Sequence, residues 1–226
     1  KVAATYAIKE LKAKKAVVLT ELTDYAQGLR EVYKKTFLDL GGQIVSDETY
    51  TTGDIDFRTQ VLKIKTAKPD VIYVVPQSVT PGSAIFKQLR ESGVTAKFTT
   101  AEVLLDREAA KDNSKVLEGV YGVEPAVDYI GNAKAKAFRE AHLAKWSGAE
   151  PGSFSANAYD AVYLLKEAIM SAGLDTLKIR DFLYGVKDWP GAIGKITMDK
   201  SGDPILGLNV RRIIKGEVTD VGPYMP

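Results

Sequence analysis

The stretch Pro69-Asp70-Val71-Ile72-Tyr73-Val74-Val75-Pro76-Gln77-Ser78 decides the fold. Residues 71–75 are all β-branched or aromatic, without the polar alternation of a sheet that has one wet face. Such a run, bounded by prolines, fits a strand buried on both sides, as in a parallel sheet covered by helices. Ala16-Val17-Val18-Leu19 reads the same way, and 43–50 and 96–99 carry further strand signals.

The segments between these strands have helical periodicity. Ala4, Ala7, Ile8 and Leu11 mark a helix within 3–13. Leu29, Val32, Tyr33, Phe37 and Leu40 form one stripe over 24–40, and Gly41-Gly42 closes it as glycine does at helix ends. Asp54 is expected to open the next helix, through Phe57, Val61, Leu62 and Ile64, and a further helix spans 82–92. Strands alternating with helices over short loops indicate βαβ units with right-handed crossovers. Ligands collect at the carboxyl ends of such strands, so the loops Thr20–Gly28, Pro76–Gly82 and Thr100–Asp106 are the first places to look for function.

The pattern changes near residue 124. A strand over 117–124 ends in Glu124-Pro125, and helices follow over 132–147, 153–172 and 175–185. Strand signals return at 192–198 and 205–214, joined by the hairpin-like turn Asp199-Lys200-Ser201-Gly202-Asp203. Tyr159, Val162, Tyr163 and Met170 are expected to pack in the core. A start at Lys1 within a helical pattern suggests a cut or trimmed N-terminus, or an initiator Met that is not counted.

Composition narrows the function. The chain has 226 residues and a formal net charge of +2, which argues against a dedicated nucleic-acid binder. With no Cys and the single histidine His142, thiolate metal sites, cysteine nucleophiles, histidine metal clusters and a Ser–His triad are excluded. No phosphate loop, dinucleotide fingerprint or nucleophile elbow occurs, so the sequence points away from an enzyme and implies neither cofactor nor metal. No apolar run is long enough to span a membrane. His142 is read as structural, and Lys9, Lys12, Lys14 and Lys15 as a solvated helix end that complements the helix dipole.

The candidate residues have bland and functional readings. Asp24 would cap a helix while Tyr25 either packs or lines a ligand site. Gln77-Ser78 form a polar loop or hydrogen-bond a small polar ligand. Glu102, between Ala101 and Val103, either caps a helix over 105–113 or pairs with a ligand cation. A carboxylate in apolar surroundings needs such a partner.

Several motifs together resemble one family. They are Asp24-Tyr25-Ala26-Gln27-Gly28-Leu29, Gly41-Gly42, Gly53-Asp54-Ile55-Asp56-Phe57, Pro69-Asp70-Val71-Ile72, Lys87-Gln88-Leu89-Arg90, Glu118-Gly119-Val120, Asn157-Ala158-Tyr159-Asp160-Ala161-Val162 and Gly194-Lys195-Ile196-Thr197-Met198-Asp199. In this order they resemble the branched-chain amino acid (Leu/Ile/Val) solute-binding proteins of ABC transporters, which are type I periplasmic binding proteins. The resemblance implies an α/β fold of two Rossmann-like lobes with parallel sheets flanked by helices, closing on a ligand by hinge motion. Residues 1–124 would form most of the C-terminal lobe, 125–205 part of the N-terminal lobe, and 206–226 a return to the C-terminal lobe. The family's first stretch of N-terminal lobe, with the groups that grip the ligand carboxylate, would precede Lys1.

The implied function is capture of an amino acid, branched-chain or a related small molecule, in an interlobe cleft, with delivery to a membrane permease. The implied location is periplasmic or extracellular. A ligand-sensing regulatory or receptor domain of the same fold is the alternative. An uncovered half-lobe would also favour a homodimer or domain swap. By the same resemblance Tyr25 matches the family's cleft tyrosine, although Ala26 stands where glycine is usual. Glu102, beside Ala101, matches the acid that pairs with the ligand ammonium through a charge-assisted bond. Phe154 matches an apolar ligand contact. Gln77-Ser78 fall where many members place an aromatic residue, a departure compatible with a polar or larger ligand.

Overall fold

A computed structural model describes residues 1–223 and divides into two compact units: Lys1–Glu124 with the segment from Asn209 onward, and Pro125–Leu208. Residues 224–226 of the expected tail lie outside the described residues.

The larger unit begins with α1 (Val2–Lys9), β1 (Lys15–Glu21), α2 (Asp24–Asp39), β2 (Gln43–Tyr50), α3 (Arg58–Ala67), β3 (Val71–Val75) and α4 (Val79–Glu91). It continues with β4 (Lys97–Thr100), a 3-10 turn over Glu102–Leu105, α5 (Arg107–Asp112), α6 (Ser114–Leu117) and β5 (Tyr121–Pro125). Among the described residues its sheet runs in the order β10-β9-β5-β4-β3-β1-β2, where β9 is Leu208–Ile214 and β10 is Glu217–Pro223. The β2-β1-β3-β4-β5 part is parallel, and β9 pairs with β10 antiparallel.

The burial of β3 explains its sequence. Ile72 and Val74 point into a core with Val17, Leu19, Ile64, Phe86 and Leu89, under α3 and α4. Val71, Tyr73 and Val75 point the other way, into a core with Ala4, Ala7, Val18, Tyr33 and Phe37, under α1 and α2. Both faces are dry, so every position of the strand is apolar. Each large side chain buried in this way contributes roughly 1.5–3 kcal/mol.

The smaller unit holds α7 (Ala133–Lys145), α8 (Ser155–Ala172), α9 (Thr176–Tyr184), β6 (Trp189–Gly191), β7 (Gly194–Met198) and β8 (Pro204–Ile205). The three strands form an antiparallel sheet. Asp199 shapes the turn after β7 by accepting the N–H groups of Ser201 and Asp203 at 2.8 and 2.9 Å. Helix α8 buries Ala156, Asp160, Leu164 and Ala168, one residue per turn. The 1%-exposed Asp160 carboxylate accepts the N–H groups of Ala192 and Ile193, both at 2.8 Å, and so fastens α8 to the β6–β7 turn.

Four local expectations need correcting. Asp24 is the first residue of α2, and its cap is Thr23, whose hydroxyl accepts the Ala26 N–H at 3.3 Å. Asp54 accepts the Thr51 N–H in a preceding turn, and α3 begins only at Arg58. The helix expected near 105–113 is α5, and Asp106 caps it, not Glu102. Tyr159, Val162, Tyr163 and Met170 are exposed, Met170 to 76%. They lie off the one-per-turn line by which α8 packs, so its apolar pattern runs wider than the face it buries.

Candidate functional site

The parallel strands β1, β3 and β4 end side by side, and the residues that follow them form one polar cluster. β3 lies between β4 and β1, with neighbouring strands about 4.8 Å apart. Tyr25, in the first turn of α2, reaches across the end of β3 and donates its hydroxyl to Glu102 Oε1 at 2.5 Å. Burial, with the bond to Glu102 second, pushes the Tyr25 phenol above its ordinary value, so it stays a donor. The Tyr73 phenol is raised as well, by burial first and the Glu102 charge second.

Gln77 follows β3 and is exposed, and it is fixed at two points. Its backbone N–H donates to Glu21 Oε2 at 2.8 Å, and its side-chain Oε1 accepts the Thr23 hydroxyl at 2.8 Å. Ser78 is the N-cap residue of α4 without a side-chain capping bond. Ala101 is buried between β4 and the 3-10 turn that Glu102 starts. Tyr25, Gln77, Ser78, Ala101 and Glu102 therefore all lie along the carboxyl ends of β1, β3 and β4. Phe154 lies in the smaller unit, half-exposed, immediately before α8.

Glu21, the last residue of β1, is the polar anchor that the sequence reading passed over. It is 1% exposed and accepts from Tyr50 Oη at 3.1 Å, Thr52 Oγ1 at 2.6 Å and the Gln77 N–H. These donors replace the water that a buried carboxylate loses, and they tie the ends of β1, β2 and β3 together. Burial, then the Glu21 charge, pushes the Tyr50 phenol above its ordinary value and keeps it a donor. The available signal was an acid closing a strand whose middle, Ala16–Leu19, is apolar.

Gly82 helps to set the Gln77 loop. A Cβ there would come within 2.8 Å of Pro76 Cγ and 3.0 Å of Leu104, so only glycine lets α4 approach this closely. A groove of about 570 Å³ between α3 and α4, lined by Ile55, Arg58, Leu62 and Gln88 among others, lies away from the strand ends and includes none of the candidate residues. Among the described residues no group of His, Asp and Glu side chains could hold a metal ion, and no helix is long and apolar enough to cross a membrane.

Comparison with known proteins agrees with this architecture. Residues 1–217 match the periplasmic binding protein family. The Leu/Ile/Val-binding protein BraC3 of Rhizobium johnstonii is 32% identical over 206 residues, covering 89% of this chain and 54% of that protein. The crystal structure of a leucine binding protein, LivK, from Thermotoga maritima superposes with a TM-score of 0.89 at 30% identity, covering 99% of this chain and 64% of that one. The branched-chain amino acid transporter substrate binding protein LivJ of Streptococcus pneumoniae, in complex with isoleucine, gives a TM-score of 0.83 at 28% identity, covering 100% of this chain and 64% of that one. The chain spans about half the length of the curated relatives it matches.

Proposed function

This chain belongs to the periplasmic binding protein family and has its α/β fold, and on that premise we propose that it serves an ABC transporter as the solute-binding component. It takes up an amino acid at the carboxyl ends of β1, β3 and β4 and passes it to a membrane permease, in the periplasm or outside the cell. The larger unit then corresponds to the C-terminal lobe and the smaller one to part of the N-terminal lobe.

The observation that carries this reading is the Tyr25–Glu102 hydrogen bond across the end of β3. One Glu102 oxygen is occupied by the phenol, and the other has no partner among the described residues. A carboxylate held in this way receives an ammonium group with little reorganisation, which is the demand a free amino acid makes. Tyr25 orients the acid, and its ring supplies apolar surface beside it. The names of the relatives, which bind leucine, isoleucine or valine, support an amino acid as the ligand. Phe154 is proposed as an apolar ligand contact on the resemblance alone.

Calorimetric titration of the protein carrying this chain with the free amino acids tests the reading. The Glu102→Gln variant should weaken the preferred ligand by about 10- to 100-fold, the loss of one charge-assisted hydrogen bond in a half-buried setting. An unchanged dissociation constant overturns the role of Glu102.

A further inference from the structure

If an amino acid is held at Glu102, as proposed above, its side chain must meet what the neighbouring strand end presents. That strand end is β3, and its first exposed side chain is Gln77. The span from β4 to β1 is about 10 Å, two strand spacings, comparable to the length of one extended free amino acid. A ligand anchored at Glu102 that extends toward Thr23, beside the Tyr25 side chain that reaches across the end of β3, passes over Gln77.

Gln77 is not a free surface amide. Its main chain is held by the buried Glu21 carboxylate and its Oε1 by the Thr23 hydroxyl. The Thr23 oxygen already accepts the Ala26 N–H as the cap of α2, so its own proton is available to Gln77 Oε1. The amide is thereby turned with its Oε1 toward Thr23, and its Nε2 donors have no partner among the described residues. A pre-oriented donor pair rewards a ligand that carries an acceptor, and the lost water is not repaid by an aliphatic group.

Charge narrows the acceptor further. Glu21, Asp24 and Glu102 all lie along this edge. Arg30, on the same helix as Tyr25, is engaged by Asp47 at 2.7 Å and is not available to a ligand. A second carboxylate on the ligand would sit among like charges, whereas a neutral carboxamide would not.

We infer that Gln77 is a specificity-determining residue and that the ligand's side chain ends in a neutral hydrogen-bond acceptor, a carboxamide, in preference to a branched aliphatic group or a carboxylate. The inference rests on the amino-acid-binding reading, and the test separates the two.

The protein carrying this chain is titrated calorimetrically with glutamine, asparagine, glutamate, leucine, isoleucine and valine, as the natural sequence and as Gln77→Leu. Gln77 is exposed, so the substitution leaves both cores untouched. The expected result is glutamine or asparagine bound at least about tenfold tighter than any of the others, with that preference lost in Gln77→Leu. Tightest binding of leucine, isoleucine, valine or glutamate overturns the inference and leaves the amino-acid reading standing. A carboxamide preference that survives in Gln77→Leu overturns the role of Gln77. Binding of none of them overturns the inference together with the reading on which it rests.

Discussion

The two units use similar apolar sequence to different effect. In the larger unit the sheet is covered on both faces, and Phe37, Phe57, Phe86, Leu19 and Ile72 are fully buried. In the smaller unit the buried clusters are small, built around Phe138 and Ala192 in one and Leu164, Val186 and Ile196 in the other. Helix α8 there leaves Val162 and Met170 68% and 76% exposed. The difference teaches that apolar periodicity identifies a helix while leaving open how many of its sides are covered. The pre-organised polar cluster of the candidate site stands on the unit with the larger core.

The largest expected effect probes that core. Phe86→Ala, deep under α4 and edge-on to Phe98, should cost about 3–5 kcal/mol. Chemical denaturation should show a lower midpoint for the larger unit, and a cost below about 1 kcal/mol would contradict the packing described.

Asp160→Ala comes next. It strands the Ala192 and Ile193 N–H groups and should cost about 2–4 kcal/mol. Amide hydrogen exchange should rise across α8 and β6–β7 while the amides of β1 and β3 keep their protection. Equal loss of protection in both units would mean that they do not differ in stability as their cores suggest.

The smallest effect sharpens the contrast. Val162→Lys, on the open side of α8, should change the denaturation midpoint by no more than about 0.5 kcal/mol. A loss above about 2 kcal/mol would show that this side of α8 is covered in the protein as it exists.

The fold was largely legible from period and punctuation. The run 71–75 is β3, and the helix expected over 24–40 is α2 over Asp24–Asp39. Helix starts were harder to read, because Asp24 and Asp54 both look like caps and the choice depends on which oxygen meets a free N–H. The core stripe assigned to α8 failed for another reason: burial depends on what packs against a helix, and its own sequence does not carry that information. The site was legible by location more than by mechanism. The loops after β1, β3 and β4 were singled out from the sequence and follow neighbouring strands, whereas the hydrogen bond from Tyr25 to Glu102 was not expected from it. The anchoring of Gln77 by Glu21 and Thr23 joins residues more than fifty positions apart, which no local pattern reveals.

The central claim is that an amino acid binds at the carboxyl ends of β1, β3 and β4, and its most direct test is to map where the ligand lands. Backbone amide resonances of the protein carrying this chain are followed while its preferred amino acid is added. The account predicts the largest shifts in the larger unit at residues 21–27, 77–79 and 100–103. Shifts centred instead on the α3–α4 groove around Ile55 and Leu62, with these three loops silent, would contradict it.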